Sequence, residues 1–223
     1  MKRSLKMMSI LFGLMLFTRA VAGPGNAYTT TMRSLIAQLD TVESAAQNLK
    51  LANAFARIAE TEKSRWLPYY YAAYAFVQSA YAEENPNKID PLCDQAETML
   101  AKVDALSPDN SEASCVRAMV ALARISVNYM QRGLENLALS RQHLEKSIEL
   151  DKTNPRPYLM LGQQAYRTPE GFGGSKKDAL AYFEKAISLY EKQPADDGEL
   201  RVDWGRDTAL RMAEASRKQL TKK

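Results

Sequence analysis

Residues 158–190 read YLMLGQQAYRTPEGFGGSKKDALAYFEKAISLY. Apolar and small side chains recur at helical spacing on both sides of a break, at Tyr158, Leu161 and Gly162 before it and at Ala179, Phe183 and Ala186 after it. The break, TPEGFGGSKK, carries three glycines, a serine and two lysines, and so invites reading as a phosphate cradle. A phosphate loop needs Gly-x4-Gly-Lys-Ser/Thr after a buried strand. Here the spacing differs, Lys176 and Lys177 follow Ser175, and the preceding segment is helical in pattern. The stretch is therefore expected to be a turn between two helices. Thr168 and Pro169 end the first helix, and the glycines permit a reversal that a Cβ would hinder. Phe172 is expected to tuck under the turn as its apolar anchor. Ser175 and Asp178 start the next helix in a pattern close to a capping box, whose free N–H groups could hold an anion.

The same texture extends outward. Among the 223 residues, 46% are hydrophobic and 25% charged, as in an ordinary globular chain. There are no sustained alternating runs rich in Val, Ile and Thr, so strands are not expected. Breaks fall at KSRWLP, ENPNKIDP, SPDNSE, DKTNPRP, TPEGFGGS and QPADDGE, each a mixture that stops or caps helices. A trio of small or apolar residues, with spacing four then three, recurs. It runs Leu51, Phe55, Ile58; Ala96, Leu100, Val103; Ser140, Leu144, Ser147; and Ala179, Phe183, Ala186. The intervals are 45, 44 and 39 residues.

Tyr158, Leu161, Gly162, Ala179, Phe183 and Ala186 together resemble a tetratricopeptide repeat, whose first helix carries Trp/Tyr-x2-Leu-Gly-x2-Tyr and whose second carries Ala-x3-Phe-x2-Ala. Tyr166 arrives one residue late. NAFARIAE, WLPYYYAAYAF and TPEGFGG also resemble a group of exported bacterial proteins of this type. The resemblance implies an all-α superhelix of three to four helix pairs. Repeats would span residues 51–192, N-terminal cap helices 28–50, and a C-terminal cap helix 200–221. The intervals exceed the 34 residues of the standard repeat, so HEAT-like pairs, with a period of about 40–47, are the alternative. Stacked pairs close a continuous core. Phe55, Leu100, Leu144 and Phe183 would fill the space between pairs, and Gly162 and Ala186 would allow close approach. In the C-terminal cap Trp204, Leu210, Met212, Ala213 and Leu220 are expected to face inward.

Residues 1–22 stand apart. Lys2, Arg3 and Lys6 precede an apolar run from Met7 to Phe17, and Ala20-Val21-Ala22 offers a small-x-small cleavage site. This is the layout of a secretory signal peptide and predicts a periplasmic or secreted protein. The run is shorter than the roughly 20 residues a spanning helix needs, so no membrane span is expected after cleavage. Four basic residues leave with the segment, which reduces the formal +4 to zero. A mature chain without net charge is a poor candidate for nucleic acid. Export permits a disulfide between Cys93 and Cys115. On antiparallel helices, however, they would differ by about 15 Å along the axis, where a bridge needs Cα atoms within about 7 Å. Two buried free thiols are expected.

Signals for chemistry are sparse. His143 is the single histidine and has no cysteine or carboxylate at metal-ligand spacing. No serine has an elbow context, and no acidic loop fits a calcium site. No enzyme activity and no cofactor are expected. The aromatic run WLPYYYAAYAF is more informative, because its rings cannot all face one core at about 100° per residue. By repeat alignment Tyr70, Tyr74, Met119, Gln163 and Tyr166 would line a concave groove, with Cys115 and Leu159 on the same surface. Packing of the tyrosines against the N-terminal cap is the competing possibility. The leading expectation is a scaffold that binds another protein or peptide segment through this groove. The alternative is a small-ligand-binding accessory of a transport system, with the tyrosine cluster as its pocket.

Overall fold

The computed structural model describes residues 24–194 and 199–221. The expected signal segment, its cleavage site and most of the PADDGE loop lie outside the described residues. Helices run α1 Pro24–Leu39, α2 Ala45–Thr61, α3 Trp66–Tyr81, α4 Pro86–Leu106, α5 Ser111–Ile125, α6 Tyr129–Leu150, α7 Arg156–Arg167, α8 Lys176–Tyr190 and α9 Arg206–Leu220. There is no strand among the described residues. Consecutive helices pack in pairs, and α3, α5 and α7 also touch one another in succession, so the pairs stack into an all-α superhelix.

Polar side chains cap the helix starts, at Asn110 and Ser175 inside breaks read from the sequence and at Ser44 and Asn128 outside them. Ser44 and Gln47 form a reciprocal capping box on α2. The side chains of Asn110 and Asn128 accept from Ala113 N and Gln131 N, each at 3.1 Å, and so cap α5 and α6. Ser175 accepts from Asp178 N at 3.1 Å on α8. These caps satisfy backbone donors that a helix cannot pair internally.

The interior is built from the recurring trios. Phe55, Leu100, Leu144 and Phe183 are fully buried, as are Ala179 and Ala186. Gly162 on α7 faces Phe183 on α8 so closely that an added Cβ would lie 2.6 Å from a ring carbon. Tyr158 is half-buried. Cys93 and Cys115 are free and buried.

Several expectations need correction. Phe172 does not anchor its turn: it is 81% exposed. The reversal is instead fixed by backbone, with Gly174 N donating to Pro169 O and Ser175 N to Ala165 O. The C-terminal cap helix begins at Arg206, not at 200, and residues 199–205 run as a strap without regular secondary structure. On α9, Ala213 is buried, but Leu210 and Leu220 lie on the outer face, 47% and 39% exposed. The 50/51 boundary falls inside α2 rather than at a helix end. No helix among the described residues is long and apolar enough to cross a membrane.

Candidate functional site

The tyrosine-rich helix α3 is buried along nearly its whole length. Pro68 sits in its first turn, where a missing N–H leaves no bond unmade. Tyr70 and Tyr71 are fully buried, and Tyr74 is half-buried. Their partners come from the strap. The Tyr71 hydroxyl donates to Arg201 O and accepts from Asp203 N, both at 2.9 Å. Trp204 Nε1 donates to the Tyr70 hydroxyl at 2.8 Å, and the Tyr74 ring lies 5.2 Å from the Trp204 ring. The inner face that sequence alignment had assigned to a partner's segment is thus filled by the chain's own residues 199–205.

One buried cation organises this face. Arg156, at the start of α7, is 1% exposed. Its Nη1 donates to Glu112 Oε1 at 2.8 Å, and its Nη2 donates to Val202 O. Its guanidinium lies 5.3 Å from the Trp204 ring and 5.8 Å from that of Tyr190, within cation–π range. Tyr190 in turn donates to Trp204 O at 2.9 Å. Burial holds the Glu112 carboxyl above its usual range, with Arg156 opposing. A guanidinium has no accessible neutral form, so we read the pair as charged at neutral pH. Burial raises Tyr70 well above the ordinary phenol value, and Tyr71 is raised for the same leading reason. These phenols remain protonated donors, and the arrangement is a lock rather than a reactive centre.

The remaining residues expected in the groove do not join it. Met119 is buried, and its carbonyl accepts from the Tyr81 hydroxyl at 2.9 Å. Cys115 is buried against Ser147, with Sγ 3.2 Å from Oγ. Leu159 is buried in the α7–α8–α9 cluster. Gln163 is half-buried on α7. Tyr166 lies toward the C-terminal end, where its hydroxyl accepts from Gln219 at 2.8 Å and Lys176 Nζ stands 3.9 Å from its ring. His143 is half-buried on α6, and burial together with Arg117 lowers its pKa. Among the described residues no group of three or more His, Cys, Asp or Glu could hold a metal ion.

A substantial opening lies elsewhere. A cleft of about 700 Å³ runs between α6, α7, the α7–α8 turn and α8, within the size range of small-molecule sites. Leu134, Leu137 and Ala138 form one wall, Phe172 and Tyr182 contribute to the other, and Tyr158 lies between. Gln164 Nε2 donates to the buried Ser140 Oγ at 2.8 Å, which ties α7 to α6 beneath it. Two cations, Arg141 and Lys185, and one acid, Asp178, also line the cleft. Lys185 Nζ lies 5.8 Å from the Tyr158 ring. Leu134 and Phe172 are 85% and 81% exposed, so the rim of the cleft is apolar. Apolar and aromatic walls with two cations suit a flat apolar body that carries anionic arms. The sequence held a signal for this wall: Leu134, Leu137, Ala138 and Arg141 form a second helical stripe on α6, offset from the buried Ser140, Leu144 and Ser147.

Comparison with protein families and with curated proteins yields no match. Among solved structures, the chain is similar to the HusA haemophore from Porphyromonas gingivalis, at 35% identity and a TM-score of 0.77, over 89% of this chain and 96% of that one. The chain belongs to the HusA family. This finding overturns the expected role as a scaffold for a protein or peptide segment, and it favours a small-molecule ligand. The physical reason is visible in the fold, because the strap occupies the inner face that such a segment would need.

Proposed function

We propose that this chain binds haem, or a chemically similar flat ring with anionic arms, as an exported binding protein of an uptake system. The observation that carries the reading is the 35% identity to a haemophore across 96% of that chain. The cleft between α6, α7 and α8 supports it. A porphyrin presents two broad apolar faces and two carboxylate side arms, which correspond to the aromatic and aliphatic walls and to Arg141 and Lys185. Among the described residues no His, Cys or Met lines the cleft, and Tyr158 and Tyr182 supply its phenol oxygens. Recognition therefore rests mainly on the ring faces and the arms.

The chain's role is read as binding rather than catalysis, in keeping with its likeness to a haemophore. The superhelix is read as tetratricopeptide-like, with α3/α4, α5/α6 and α7/α8 as its repeating pairs, and residues 1–22 as a signal peptide that directs export. Titration of haem into protein lacking residues 1–22 tests the reading. A saturable shift of the Soret band at one haem per chain is expected. Unchanged haem absorbance across micromolar protein would overturn it.

A further inference from the structure

Phe172 is exposed where burial would be favourable, and its surroundings explain how that state is held. It ends a short 3-10 turn, Glu170–Phe172, at the mouth of the cleft. On either side of it stand glycines with open space around them: a Cβ at Gly171 or at Gly173 would meet nothing within 4 Å. Gly173 has φ +87°, a conformation that L side chains rarely adopt. The tip therefore has room for its ring to turn, on a backbone closed by Phe172 N donating to Pro169 O at 2.9 Å and Gly173 N to Glu170 O at 3.0 Å. The base is packed more tightly. Gly174 packs so tightly that an added Cβ would run into the Thr168 carbonyl oxygen. Gly174 N and Ser175 N are tied to Pro169 O and Ala165 O at 3.1 and 3.0 Å.

Leu134, on α6, lines the same cleft and is also largely exposed. A hydrogen-bonded turn thus presents a bare aromatic ring at the mouth of an apolar-walled cleft.

We infer that Phe172 is the ring-stacking lid of this cleft, closing over one face of a flat aromatic ligand whose anionic arms are held by Arg141 and Lys185. This rests on the haem-binding reading above and adds to it a named residue and a motion. Aromatic rings gain most from offset face contact at centroid distances of about 4.5–7 Å, and an exposed ring can reach that geometry by side-chain rotation after the ligand enters. Leu134 then contacts the opposite face. The lid acts after encounter, so its effect belongs to release more than to capture.

Haem dissociation from the mature protein is the measurement, read by transfer to excess apomyoglobin. Phe172→Ala should release haem about tenfold faster than wild type, and Phe172→Trp should retain slow release. The melting temperature of Phe172→Ala should match wild type, because the side chain touches little in the free protein. Trp at this position should also lose fluorescence as haem binds. If wild type binds haem and Phe172→Ala releases it at the wild-type rate, the lid is overturned while the binding reading stands. If wild type itself takes up no haem, both are overturned.

Discussion

The Arg156 guanidinium lies 2.8 Å from the Glu112 carboxylate, with the arginine side chain 1% and the glutamate side chain 18% exposed. Removing one member of such a pair leaves an uncompensated buried charge, at a cost of about 3–5 kcal/mol. Arg156→Ala is expected to lose that much in urea unfolding. Glu112→Leu with Arg156→Met should recover a large part of it, since apolar residues of similar volume often replace buried pairs without loss. A single substitution costing under about 1 kcal/mol would show that Arg156 does not hold the strap.

Gly162 and Phe183 form a second dependent pair. A methyl group at residue 162 would lie 2.6 Å from a Phe183 ring carbon, and overpacking of this kind costs about 1–3 kcal/mol. Gly162→Ala should lower the thermal midpoint, and Phe183→Leu should offset part of the loss in the double variant. Strictly additive effects would rule out the close approach.

These two relationships differ in how far the sequence revealed them. Gly162 and Phe183 stand at fixed positions of a helical pair, so periodicity places them together. The cap Asn110 was legible as a helix break in SPDNSE for the same local reason, whereas Asn128 falls in none of the breaks read from the sequence. The strap was not. Residues 199–205 have no periodicity, and their partner Tyr71 lies about 130 positions earlier. Without that segment the tyrosines of α3 look like an open surface. The cleft was half legible: the Leu134–Arg141 stripe is visible on α6, but only the fold shows that no helix among the described residues covers it. Phe172 was misread because an isolated aromatic in a turn more often packs than protrudes.

Asp90 is placed to govern acid stability. It accepts from Arg132 at 2.8 Å and from Arg124 at 2.8 Å, which ties α4 to α5 and α6. Burial alone would raise its pKa, but the hydrogen bonds from the two arginines outweigh that and hold it below the usual value. A depressed folded-state pKa means the stabilisation is present above the unfolded value of about 3.9 and is lost as pH falls through the folded one. Asp90→Asn should cost about 1 kcal/mol at pH 7. The gap from wild type should narrow below about pH 4. A gap that stayed constant down to pH 2 would exclude this role.

Arg141 and Lys185 are expected to set the salt dependence of ligand binding. Arg141→Glu and Lys185→Glu should each weaken haem binding about tenfold at low salt, with a smaller effect at 1 M salt, where the screening length falls to about 3 Å. Both residues are exposed, so the thermal midpoint should change little. Equal losses at low and high salt would point to misfolding rather than to lost attraction.

Cys93 and Cys115 should both be silent toward a thiol reagent in the native protein and reactive in urea. Burial pushes the Cys93 thiol up to about 11 and raises Cys115 further, with Glu112 adding to the latter. Thiolate is the reacting form, so native labelling at pH 8 within minutes would contradict the buried environment.

The strap also changes what kind of polymer this is in folding terms. Stacked helix pairs that touch only their neighbours can unravel from one end, each pair melting at its own free energy. Here Tyr71 in the second helix-turn-helix is bonded to Arg201 and Asp203, beyond the last pair, and Trp204 packs against both hydrophobic clusters. Fraying at the C-terminus therefore disturbs the middle of the stack. The array should melt as one cooperative unit rather than pair by pair. Its folding should include a late step in which the most distant contacts close, and amide exchange in α3 should collapse toward that of α9 once the strap is cut.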